Sequence, residues 1–257
     1  MSLRRFACNL PLPFVLVLLL AAVAPAWASP ADEFKAANAL YDAGKFSEAV
    51  IAYERIEPKT ANLFFNLGNA CFRAGQVGRA VLNYERARRL APRDPDILAN
   101  LKFAEQKLGV DDVNAPPTAW QRVLRSIVDS RTPGEWSAYE LAGVWLATLA
   151  LGLMLWVRAA RTALLVVTFA AFAWLLAAGS ALSDQVIHER TAPRAVVLDR
   201  RAEARFAPLP DSTVHFQLNE GTEVAVREDR DQWLLVERAD GQQGWVKREA
   251  VERVRID

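Results

Sequence analysis

FNLGNACFRAGQVGRAVLNYERARRLAPRDPDI, residues 65–97, is the stretch whose reading decides the fold. Within it Ala80, Tyr84 and Ala87 fall at i, i+4 and i+7, one apolar face of a helix. Pro92 ends that helix, because proline has no N–H to donate and clashes with the preceding turn. The same pattern stands 31 residues upstream, where Ala49, Tyr53 and Ile56 repeat the apolar face. AGKFSEAVIAYER, starting at Ala43, aligns with AGQVGRAVLNYER, starting at Ala74, on Gly44 and Gly75. A repeat of about this length predicts a stack of helix pairs, each burying its apolar face on its neighbour.

The second unit resembles the tetratricopeptide repeat. Phe64, Leu67, Gly68, Gly75, Ala80, Tyr84, Ala87 and Pro92 stand where that family has its aromatic, Leu, Gly, Gly, Ala, aromatic, Ala and Pro. The resemblance implies helices in close contact at Gly68 and Ala80, with Tyr84 filling the space between them. In the first unit Ala37 replaces the glycine, and the turn between repeats is three residues short. Repeats are placed at about 31–58 and 61–94, in an all-α domain spanning 29–108. Ile97, Leu98, Leu101 and Ala104 form the inner face of a capping helix at 95–108. The family's groove positions map to Phe34, Asn38, Tyr41, Asn62, Phe65, Asn69 and Phe72. An asparagine amide both donates to and accepts from a peptide backbone, and aromatic neighbours supply apolar anchors. An extended peptide or a partner's tail is the expected ligand, and these asparagines are expected to be free of structural duty.

Upstream, Arg4 and Arg5, the apolar run Phe14–Ala24 and Ala26-Trp27-Ala28 read as a secretory signal at 1–28. Retention as an anchor helix would export the repeat domain just as well. Downstream, Gly109, Asn114, Pro116 and Pro117 mark a linker at 109–135. Within it Trp120, Val123, Leu124, Ile127 and Val128 form the stripe of a short amphipathic helix, lying on lipid or packed on the repeats. Two apolar runs come next, predicted as transmembrane helices at 138–157 and 162–183. Arg158-Ala159-Ala160-Arg161 between them forces an antiparallel hairpin whose loop obeys the positive-inside rule. Trp136, Tyr139, Trp145 and Trp156 suit interfacial belts. Ala173, Ala177 and Ala181 form a small-residue seam suited to face the first helix. With an export signal and two spans, both soluble domains are expected on the extracytoplasmic, periplasmic side of a bacterial inner membrane.

From residue 193 the pattern changes to period two. Val224 and Val226 alternate, as do Leu234 and Val236, and Asp240-Gly241 is a hairpin turn signal. About five short strands are expected, an all-β barrel at 193–257. FQLNEGTEVAVREDRDQWLLVERADGQQGWV, residues 216–246, resembles the bacterial SH3 family, SH3b, most specifically in its GWV close and in Trp233 standing twelve residues before Trp245. Trp233 and Trp245 are the candidate ligand face; aromatic core is the competing role for at least one of them.

Formal net charge is +1, and residues 193–257 carry slightly more acid than base, so no basic stripe marks a nucleic-acid partner. Cys71 is the one cysteine after the signal, which excludes an internal disulfide in the mature chain. His188 and His215 lack a second histidine or cysteine at metal-ligand spacing. No nucleophile elbow, phosphate loop or zinc-protease motif occurs. No catalytic, cofactor-binding or metal residues are therefore expected, and the chain reads as a multi-domain membrane scaffold for protein–protein interactions, not an enzyme. Its order of signal, repeats, helix hairpin and SH3-type domain resembles the BatE family of the Bacteroides aerotolerance (Bat) operons. That resemblance implies partners with von Willebrand A domains, a MoxR-type ATPase nearby, and a role in envelope maintenance or stress tolerance. Two other readings stay open: a sensor whose SH3b domain binds peptidoglycan peptide, and an accessory that targets a separate hydrolase to the wall.

Overall fold

The computed structural model describes residues 29–110, 123 and 126–255. The predicted signal at 1–28, most of the linker, and Trp120 and Leu124 of the amphipathic stripe lie outside them. Five helices open the fold: α1 (Pro30–Asp42), α2 (Phe46–Glu54), α3 (Ala61–Arg73), α4 (Val77–Leu90) and α5 (Pro95–Leu108). The first helix of each pair, and α5, start at their own caps. Ser29 accepts from Asp32 N, Thr60 from Leu63 N, and Asp94 from Asp96 N and Ile97 N. Such a cap satisfies amides that the helix leaves without partners. The second helices α2 and α4 instead follow tight turns at Gly44 and Gly75, both at positive φ, and neither has a side-chain cap of its own. Close packing at Gly68 is as expected: an ideal Cβ there would lie 2.6 Å from Tyr84 Cε1. Ile97, Leu101 and Ala104 of α5 are buried, but Leu98 is exposed, a correction to the expected inner face.

Two long helices follow, α6 (Pro133–Trp156) and α7 (Arg161–Thr191), joined by one 3₁₀ turn at Arg158–Ala160. Both are long and apolar enough to cross a membrane. The first starts inside the expected linker because Thr132 and Glu135 form a capping box. The second runs eight residues past the apolar run that ends at Ser183. Their contact uses Gly143 and Ala150 against Ala171, Ala178 and Ala181. Of the expected seam Ala181 lies in the contact, but Ala173 and Ala177 are exposed, and the contact continues through Ala178 and Ala171 instead. Trp136 is buried against Ala178 and Ala181, with its Nε1 donating to Val128 O at 3.2 Å, so its ring packs on the hairpin instead of standing free as a belt residue would.

The C-terminal part is one antiparallel sheet consistent with an SH3-like domain. It has seven strands, two more than expected: β1 (Arg194–Val197), β2 (Arg201–Arg205), β3 (Val214–Asn219), β4 (Glu223–Arg230), β5 (Trp233–Glu237), β6 (Gln243–Lys247) and β7 (Val251–Arg253). Their order is β3-β2-β6-β5-β4-β1-β7. Irregularities at Ala204/Arg205 and Val226/Glu228 bend it around a core of Ala204, Leu218, Val224, Val226, Leu234, Val236 and Val246. Gly241, at φ +85°, makes the expected tight turn.

Candidate functional site

The expected groove residues lie on α1 and α3, and the structure joins them to α5. Tyr53 donates its hydroxyl to Asn38 Oδ1 at 2.6 Å, and Tyr84 donates to Asn69 Oδ1 at 2.7 Å. Asn100 Nδ2 adds a second bond to Asn69 Oδ1 at 3.0 Å. The expectation that these asparagines lack structural duty is therefore corrected, since each accepts the proton of a buried tyrosine. Burial raises both phenols, Tyr53 to about 12 and Tyr84 further, so both remain donors across the physiological range. The NH₂ groups of Asn38 and Asn69 have no bond partner among the described residues and remain available to a ligand backbone.

Asn38, Asn69 and Asn100 are successive members of one 31-residue register, and so are Tyr41, Phe72 and Phe103. The register makes α5 a third first-helix of the array rather than a plain cap. Phe103 is 59% exposed, its ring 5.4 Å from Phe72, and Lys107 Nζ lies 4.8 Å from the Phe72 centroid. Phe34 and Phe65 are half-buried and pack edge-on or tilted against Tyr53 and Tyr84. Asn62 is exposed and Tyr41 half-buried. Asn100 and Phe103 are missed when only whole repeats are counted, and carrying the 31-residue spacing one step further finds them; Lys107 lies outside that register and only packing on Phe72 reveals it.

On the opposite side the sheet closes the repeat stack. Glu220 Oε1 accepts from Gly78 N at 2.7 Å and so caps α4 from across the molecule. An ideal Cβ at Gly78 would lie 2.6 Å from Glu220 Cγ, so glycine leaves room for the cap. Arg86 bonds Glu252 at 2.7 Å and Arg253 O at 3.1 Å, and Arg89 bonds Val254 O. Val196 and Val254 join the repeat core, while Ala195 and Val197 face the sheet's own core. Strand β1 is thus buried on both faces. Between the domains Glu85 is buried, held by Arg88 at 2.7 Å, with Arg194 and Glu223 paired at 3.2 Å beside it. Burial, and secondly Glu223, push the Glu85 carboxyl upward against the pull of Arg88.

The other sheet face is open. Trp233 pairs with Lys247 and Leu235 with Trp245, which puts all four on that face. Trp245 is 8% exposed with the Arg230 guanidinium 5.2 Å from its ring, and Trp233 is half-buried. Trp233 is thus the more accessible of the two.

Among the described residues no group of three or more His, Cys, Asp or Glu is placed to hold a metal. His215 stacks between Phe206 and Phe216, and the side chain of His188 lies outside the described residues. Cys71 is buried, and burial pushes its thiol up to about 11, which removes thiolate character.

Comparison with known families agrees with this geometry over two segments. Residues 61–94 match the tetratricopeptide repeat, and residues 199–252 match the bacterial SH3 domain. No curated protein and no solved structure matches the chain. The two matches suggest binding of protein or cell wall, carried by a helical N-terminal part and a C-terminal antiparallel sheet that flank two long apolar helices.

Proposed function

We propose that the chain is a non-catalytic adaptor of the bacterial envelope, anchored in the inner membrane by the α6–α7 hairpin, with both soluble domains on the extracytoplasmic side. Its repeats capture an extended segment of a partner protein. The observation that supports this reading is the one-sidedness of the repeat domain. The sheet seals the α4 side, while the asparagine and aromatic register of α1, α3 and α5 stays open. The seam also supports the topology, because domains that share a core must lie on one side of the bilayer. The partner class is a membrane protein with a von Willebrand A domain, in a Bat/MoxR-type envelope-stress complex.

Two experiments test this. Alkaline phosphatase fused after Asp257, and separately inserted within 109–117, is expected to be active in both places; an inactive C-terminal fusion overturns the hairpin. A photo-crosslinking residue at Phe103 is expected to trap a protein in native membranes, and the same residue at Ile51 is not. Equal trapping at both overturns the groove reading. The accessible Trp233 favours one second reading, recognition of peptidoglycan peptide by the open sheet face. It predicts retention of the chain on purified sacculi and loss of that retention in Trp233→Ala.

A further inference from the structure

Beside the seam lies a crevice of about 300 Å³ lined by four arginines, Arg86, Arg248, Arg253 and Arg255, and a single acid, Glu252. They come from α4, from the turn after β6 and from the β7 end. Bulk charge does not explain the gathering, because residues 193–257 carry slightly more acid than base. Neighbouring carboxylates answer only part of it. Asp229 is shared by Arg248, at 3.2 Å for one of its nitrogens, and Arg253, at 2.5 Å. Arg86 takes Glu252. Arg255 has no side-chain partner among the described residues, so four cations face two anions. The buried Nε–H groups of Arg86 and Arg253 likewise have no acceptor. A guanidinium offers five N–H groups in a planar fork that matches the oxygens of a phosphate.

The crevice also has a defined place relative to the hairpin. Val254 N donates to Arg194 O at 2.9 Å, so the β7 end lies level with the first residue of β1, three residues past the end of α7. Thr191 stands eight residues beyond Ser183, about 12 Å of helix. With the hairpin in a bilayer, that height lies just above the headgroup layer, which adds about 5–8 Å to each side of the hydrocarbon core.

We propose that this crevice binds a phosphate group, supplied by the headgroup of an anionic phospholipid, and so tethers the joined domains to the membrane surface. The lipid source rests on the membrane reading of the hairpin; the phosphate chemistry of the four arginines does not. The test uses the full chain in a neutral detergent, with phosphatidylglycerol, phosphatidylcholine or inorganic phosphate added and thermal unfolding read out. Phosphatidylglycerol is expected to raise the midpoint where phosphatidylcholine does not, and Arg255→Gln to weaken the apparent affinity several-fold. Arg255 is exposed, so this variant leaves the fold intact; Arg86→Gln is the second variant and should weaken binding further. Stabilisation by inorganic phosphate alone, lost in Arg255→Gln, supports the site with a soluble phosphate as its source. Equal responses of wild type and both variants, or no preference for phosphatidylglycerol or phosphate over phosphatidylcholine, overturn it. Release of the chain from membranes by alkaline carbonate would overturn the hairpin reading separately, since that result does not depend on Arg255.

Discussion

The second helices of the two repeats share a sequence register but differ in what covers them. Ile51 and Leu82 are equivalent positions, yet Ile51 is 51% exposed and Leu82 is 1% exposed. Glu54 and Glu85 are equivalent too; the first pairs with Arg79 at the surface and the second is buried under the sheet. Ser47 of α2 corresponds to Gly78 of α4, where only a missing side chain admits the Glu220 cap. The difference lies less in the helices than in the domain that docks on one of them. A repeat that uses its second helix to hold another domain gives up that surface and keeps an open face on its first helix.

The largest break of this comparison should come from Leu82. It belongs to the core that takes in Val196 and Val254. Leu82→Ala should cost about 2–5 kcal/mol, against well under about 1 kcal/mol for Ile51→Ala at an exposed site. Denaturant unfolding of the full chain measures both; equal losses would mean that the sheet does not protect Leu82. A somewhat smaller effect is expected where the cap enters. Gly78→Val should overpack the Glu220 contact and remove a helix cap, together about 2–4 kcal/mol. Ser47→Val should stay within about 0.5 kcal/mol. Hydrogen exchange at the amides of 77–80 should rise in the first variant and not in the second.

Inside the repeats the contrast narrows. Asn69→Ala leaves the buried Tyr84 hydroxyl without its acceptor, which should cost about 1–3 kcal/mol. Asn38→Ala should cost the same or less, because Asn38 bonds only Tyr53 among the described residues, whereas Asn69 also receives Asn100. Thermal melting of the full chain orders the two, and a larger loss at Asn38 would break the order.

The five-helix array, the hairpin and the strand character of the C-terminal part are legible in the sequence because each rests on local period. The pattern puts helix α5 at residues 95–108, the span the structure gives it. The features that local period does not show are set by contacts distant in sequence. The duty of Asn69 depends on a tyrosine one helix away, and the burial of Trp136 on alanines of the returning helix. The docked sheet left one mark in the sequence. Ala195-Val196-Val197 is a continuous apolar run rather than an alternating one, as a strand covered on both faces requires. Position 78 left another, a glycine in a helix with no internal reason for it. The exposed alanines of α7 mislead because small residues recur on several of its stripes, and only packing selects one.

The smallest expected effect, and the one most specific to the seam, is the pH dependence at Glu85. Burial and the nearby Glu223 raise this carboxyl above its ordinary value of 4.5, and Arg88 and Arg194 only partly restrain it. Asp129, next to the hairpin, adds negative charge that acts on Arg88 and Arg194. Glu85 therefore competes with Glu223 and Asp129 for the two guanidinium groups. A raised value in the docked state means that docking is favoured when Glu85 is protonated. Its contribution is complete below 4.5 and declines as the pH rises through the raised value. If the domains separate, Glu85 meets water and its ordinary value returns. Separation should thus become easier as the pH rises from 4.5, by on the order of 1 kcal/mol, since a tenfold change in proton affinity is worth about 1.4 kcal/mol. Glu85→Gln mimics the protonated form and keeps a hydrogen-bonding group of the same shape. It should flatten the pH profile of domain separation, read by hydrogen exchange at 77–80 and 194–197, and match wild type at low pH. A profile that keeps its slope in Glu85→Gln would show that Glu85 is not the source of the pH dependence. A wild-type profile that slopes the other way would mean that Arg88 dominates, and that Glu85 stays ionised beneath the sheet.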